Sequence, residues 1–117
     1  MKAIINNQQI PLEIMVTPNA KSLGMMGRDS LDGGMLFPFK EIGEKSFWMK
    51  DCIIPLDILF ISDNKINSIS KDCQPCYQTT CPNYTGIGDV VLELPGGFCN
   101  KNNIESGDEV SFSELPF

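Results

Sequence analysis

A chain of 117 residues, 42% apolar and 21% charged, has the length and composition of a single globular domain over residues 1–117, which argues against disorder and against a second independent core. Nine basic against 15 acidic residues leave a net charge of -6, which disfavours nucleic acid bound by phosphate neutralisation, although a carboxylate-bound divalent metal can reverse the sign locally. The absence of histidine removes imidazole-based serine and cysteine catalysis and every zinc site with a His ligand.

Residues 2–16 read as two strands around Asn6 to Gln9, because Ile10, Leu12, Ile14 and Val16 alternate at the strand period. Polar residues interrupt this amino-terminal stretch well short of a signal core or a membrane span of about 20 residues, which predicts a cytoplasmic protein without a membrane anchor. Thr17 followed by Pro18 is a helix start, with the hydroxyl as N-cap, and the helix is expected to end near Gly24 to Gly27.

An Asp-Gly-Gly turn at Asp32 to Gly34 leads into Met35 to Phe39, an apolar run too short for a helix and expected as a strand or an extended segment. Phe47 to Met49 follow a charged loop, and Pro55 limits where the next strand begins. Leu56 to Ile61 is apolar on both pleat faces except at Asp57, which predicts a central strand covered on both sides. Asp89 to Leu94 repeats the pattern with Glu93 as an acidic member, and Pro95 to Gly97 end it. A turn at Ser106 to Asp108 leads into a last strand, Glu109 to Phe112. The expected fold is mainly β (α+β), a barrel-like or sandwich-like domain with one or two short helices. Its core is expected to centre on Leu56, Ile58, Phe60, Trp48, Val91 and Leu92, in a monomer.

The segments LGMMGRDSLDGGMLFPF, FWMKDCIIPLDILFI and VLELPGG, in this order and spacing, resemble the domain of unknown function 192 family, also called uncharacterised protein family 0127, of bacteria, archaea and phage. The matching positions are Gly24 to Arg28, Gly34 to Phe37, Phe47 to Lys50, Pro55 to Asp57 and Val91 to Glu93. Pro75, Cys76, Cys81, Pro82 and Tyr84 match a stretch carried by some members. Departures are Met25 for the usual Leu, Asp51 and Cys52 for Asn and Thr, and the additional Cys73 and Cys99. The resemblance implies a small β-rich fold and assigns no reaction.

Three groups of residues can carry chemistry. Arg28, Lys50, Asp57 and Glu93 are charges set among apolar residues, and buried charges pair or line a pocket. Together they can bind a ligand, or the carboxylates can hold a divalent metal while a cation holds an anion; the competing reading is a structural ion pair on Asp57 with Glu93 at a solvent edge. Cys73, Cys76 and Cys81 are metal-ligand candidates, with a disulfide involving Cys76 or Cys81 and free thiols as the alternatives. Met25, Met26, Met35, Phe37, Phe47, Trp48 and Met49 either pack the core or line an apolar pocket with Trp48 at its mouth.

The expected function is a binding or accessory module for a small ligand or a protein partner, using Arg28, Trp48, Lys50, Asp57 and Glu93. The alternative is a divalent-metal-dependent hydrolase, such as a nuclease or phosphodiesterase, with Asp57, Glu93 and Lys50 as catalytic candidates.

Overall fold

The computed structural model of the protein describes residues 1–113, so the last four residues of the expected domain lie outside the described range. The strands are β1 (Lys2–Ile5), β2 (Gln8–Ile14), β3 (Gly34–Trp48), β4 (Leu56–Ser62), β5 (Lys65–Cys73), β6 (Asn83–Pro95) and β7 (Ser111–Ser113), with short helices α1 (Pro18–Leu23) and α2 (Phe98–Lys101). The strands form one sheet in the order β5-β4-β6-β3-β2-β1-β7. It curls into a half-barrel, the mainly β fold expected from the sequence. Residues 107–113 tie its two edges together. Val110 donates its N–H to Asn64 O at 2.8 Å beside the start of β5, while β7 pairs with β1.

The amino-terminal hairpin forms as its alternation predicts, with Asn6 and Asn7 at positive φ in the turn. Thr17 caps α1 by accepting the Ala20 N–H at 3.0 Å, and Pro18 opens the helix. β3 is much longer than the apolar run Met35 to Phe39, because its second half pairs with β6 out to Trp48 and Asn83. Between Pro38 and Gly43 the ladder breaks, so residues 39–42 stand against Asp89 alone and the hairpin bends there. Gly88 permits the bend, since a Cβ there would lie 2.4 Å from the Ile61 carbonyl oxygen.

β4 is buried on both faces, as its composition predicts. Leu56, Ile58 and Phe60 join one core with Met25, Met35, Phe37 and Met49, while Leu59 and Ile61 join a second with Ala3, Ile5, Leu92 and Leu94. Trp48 departs from the expected core: it is 46% exposed, because at the end of β3 the pleat turns Met49 inward and Trp48 outward. β5 and α2 are elements that local pattern did not reveal. The polar KINSISKDC run becomes a strand by pairing with β4.

Candidate functional site

Glu93 owes its position to strand register. It sits between Met35 of β3 and Ile58 of β4, so its side chain points into the core that holds both. The residue is 4% exposed, and its buried Oε1 has no hydrogen-bond partner. Burial pushes its pKa up to about 8, so at neutral pH it is an uncharged acid with a free donor and acceptor. The reading of Glu93 at a solvent edge does not match this position.

The unpartnered carboxyl borders a cavity of about 350 Å³ between α1, the turn that follows it, and β3. Gly24, at φ +46, ends α1 in a backbone conformation that favours glycine, at ordinary contact distance from the Phe37 ring, and the Met25–Met26 turn follows it along the cavity. Phe37, Phe39, Phe47 and Trp48 supply aromatic walls. Phe47 is the centre of this group, with ring centroids 5.0 Å from Phe37 and 6.4 Å from Phe39, both edge to face. Lys21, Lys45 and Lys50 border the same space, with Glu44 as the acidic residue besides Glu93, so basic residues prevail in the lining in a protein of net charge -6. The Lys21 and Lys45 ammonium groups lie 4.4 and 5.1 Å from the Phe39 ring centroid, which holds both cations at one wall.

Asp57 stands elsewhere. It is registered against Leu94, one residue from the Ile58–Glu93 pair, and therefore faces the opposite side of the sheet. Its Oδ1 accepts the N–H groups of Asp72 at 2.8 Å and Gly97 at 3.2 Å, and its Oδ2 accepts that of Cys99 at 2.9 Å. The Asp72 N–H is freed where the β4–β5 register shifts between Leu56 and Ile58. The other two belong to the start of α2, whose N-cap, Gly97, has no side chain to cap it. One buried carboxylate thus ties a strand irregularity to a helix end without a cationic partner.

The remaining residues separate. Arg28 forms a two-pronged ion pair with Glu13, with side chains 41% and 48% exposed, and is not among the cavity-lining residues. Lys50 does reach the cavity, and its Nζ donates to Gln78 O at 3.3 Å. Cys76 and Cys81 are joined as a disulfide around that same loop, which leaves Cys73 without two thiolate neighbours for a metal. Cys52, Cys73 and Cys99 are buried free thiols, raised by burial to about 11, about 12 and about 12. Among the described residues no group of three His, Cys, Asp or Glu side chains is placed to hold a metal ion.

Of the residues expected at a site, the structure brings together Trp48, Lys50 and Glu93 and leaves Arg28 and Asp57 outside. Lys21, Phe39, Lys45 and Cys52 line the cavity without having been singled out. Lys45 and Phe39 carry no local signal, because only the bend in β3 puts them on one wall. Among the described residues no helix is long and apolar enough to cross a membrane.

Comparison with known proteins agrees with the fold. The chain is 29% identical to a candidate transcription regulator from Sinorhizobium meliloti 1021, with a TM-score of 0.82 over 94% of this chain and 89% of that one. It is 28% identical to a protein of unknown function from Novosphingobium aromaticivorans DSM 12444, with a TM-score of 0.84 over 95% of this chain and 84% of that one. No curated protein matches the sequence. The model of the domain of unknown function 192 family, described as an uncharacterized ACR, matches residues 1–112, and the chain belongs to that family.

Proposed function

We propose that this protein is a binding module that holds a small organic ligand in the cavity between α1 and β3, with Glu93 at its floor. The observation that carries the reading is the buried, unpartnered Oε1 of Glu93 beside an aromatic-walled space. A buried polar atom without a partner costs about 1–3 kcal/mol, and a bound ligand that supplies the hydrogen bond removes that cost. The volume, about 350 Å³, falls within the range of roughly 300–1,000 Å³ usual for ligand pockets. The Sinorhizobium meliloti neighbour is described as a candidate transcription regulator, and for this chain a net charge of -6 favours ligand sensing over direct contact with DNA.

The test is a fragment screen by thermal unfolding on the wild type and on Glu93→Leu and Glu93→Gln. The reading expects compounds that raise the melting temperature of the wild type and not of Glu93→Leu. It also expects the unliganded Glu93→Leu protein to melt at or above the wild-type temperature, since an unsatisfied group has been removed. Absence of any Glu93-dependent compound overturns the reading, and both variants melting lower than wild type would then assign Glu93 to stability.

A further inference from the structure

Glu93 and the lysines that line the cavity ask for different chemistry. At the floor, the neutral carboxyl of Glu93 offers an O–H donor beside a carbonyl acceptor, and Oε1 is buried without a partner. A ligand that satisfies both must present an acceptor next to a donor on one edge. An amine or amidinium would also pair with a carboxyl, but its charge would sit in a space lined by Lys21, Lys45 and Lys50, with Glu44 opposing them. The lysines of the lining disfavour a cation and favour an anionic substituent on the ligand. The aromatic walls are ring systems, Phe37, Phe39, Phe47 and Trp48, which accept a flat ring in offset or edge-to-face contact.

We propose that the cavity binds a planar heteroaromatic anion, one ring whose adjacent N–H and C=O pair with Glu93 and whose carboxylate or phosphate lies among Lys21, Lys45 and Lys50. The inference rests on the binding-module reading and narrows it to a ligand class. A free pyrimidine carboxylate and a pyrimidine nucleoside monophosphate share this chemistry.

Pairing of this kind depends on the Glu93 proton. The groups that face Glu93 are the thiols of Cys52 and Cys73 and, around the cavity, Lys21, Lys45, Lys50 and Glu44; Asp57 lies on the other face of the sheet. Burial holds Cys52 at about 11 and Cys73 at about 12, so both remain protonated while Glu93 loses its proton near pH 8. Ionised Glu93 has no donor to offer and repels the ligand's carbonyl.

Isothermal titration calorimetry of the purified chain with orotate, uridine 5′-monophosphate, uracil and benzoate tests this. At pH 7 orotate or uridine 5′-monophosphate is expected to bind about ten-fold or more tighter than uracil, which lacks the anion, and than benzoate, which lacks the lactam edge. Whichever of the two binds more tightly identifies the source, free carboxylate or nucleotide. Glu93→Leu is expected to weaken binding about ten-fold or more, and Glu93→Gln to restore it, because an amide keeps a donor beside an acceptor. The wild type is expected to lose affinity as the pH rises past about 8, and Glu93→Gln to lose the Glu93-dependent part of that decline. Benzoate binding as tightly as orotate and the nucleotide, or neither of these binding, overturns the ligand class. If the fragment screen still yields a Glu93-dependent compound of other chemistry, the binding-module reading stands and only the class falls; if it yields none, both fall.

Discussion

Asp57 and Glu93 lie on hydrogen-bonded neighbouring strands and point to opposite faces of the sheet, because Glu93 is registered against Ile58 and Asp57 against Leu94. That offset of one residue separates two buried carboxyl groups that differ in their hydrogen-bond partners. Asp57 is surrounded by three backbone donors, whereas Glu93 has an oxygen with none.

Asp57→Asn is expected to lower the unfolding free energy by about 2–3 kcal/mol, since an amide turns an N–H₂ toward donors that a carboxylate accepted. The loss should appear in urea unfolding and leave ligand binding at the Glu93 cavity intact. A change below about 0.5 kcal/mol would place Asp57 outside the structural role given to it here.

Glu93 makes the protein less stable as the pH rises. Its pKa is lifted from 4.5 to about 8 in the folded state, so between these values the native chain keeps a proton that the unfolded chain has lost, and stability drops across that window. Melting temperatures measured from about pH 5 to about pH 8 are expected to fall in the wild type, and less steeply in Glu93→Gln. Parallel curves for the two proteins would mean that Glu93 is ionised in the folded state.

The cysteines predict a labelling pattern. Without reductant, Cys52, Cys73 and Cys99 are expected to resist a thiol alkylating agent near neutral pH in the folded protein, because they are buried and their thiols are pushed to about 11 or 12. In denaturant the same three should react while Cys76 and Cys81 remain linked, which peptide mass spectrometry reads directly. Fast labelling of Cys52 in the native state would show that the cavity opens to its floor.

Leu56→Ala is expected to cost about 2–5 kcal/mol, through lost transfer energy and the cavity left under a fully buried side chain. Trp48→Ala is expected to cost much less, since nearly half of the residue is already exposed, and to weaken ligand binding instead. Equal losses of stability for the two would return Trp48 to the core.

Arg28→Ala is expected to change stability by about 1 kcal/mol or less, because its ion pair with Glu13 is exposed to solvent and screened. A guanidinium chloride titration of Arg28→Ala beside Glu13→Ala measures this. A loss of several kcal/mol would point to a role beyond the surface pair.

The sequence by itself determined the elements whose signals are local. Alternation at Ile10, Leu12, Ile14 and Val16 marked the first hairpin, although β2 ends at Ile14 and leaves Val16 exposed; Thr17-Pro18 marked the start of α1, and apolar residues on both faces of Leu56 to Ile61 marked a strand covered on both sides. It also singled out Glu93 and Asp57 as charges that needed an explanation, since a carboxylate within an apolar strand is costly wherever that strand is buried. Tertiary structure decided which carboxylate has partners. Asp57 is satisfied by Asp72, Gly97 and Cys99, which lie 15, 40 and 42 residues away in the chain, and no local pattern reports such distant donors. The cavity was equally out of reach, because Lys21, Lys45 and Lys50 line one space only once β3 bends after Pro38 and the end of α1 packs against Phe37. Periodicity states which side of a strand a residue occupies; register between strands, set by packing across the whole sheet, states what that side faces.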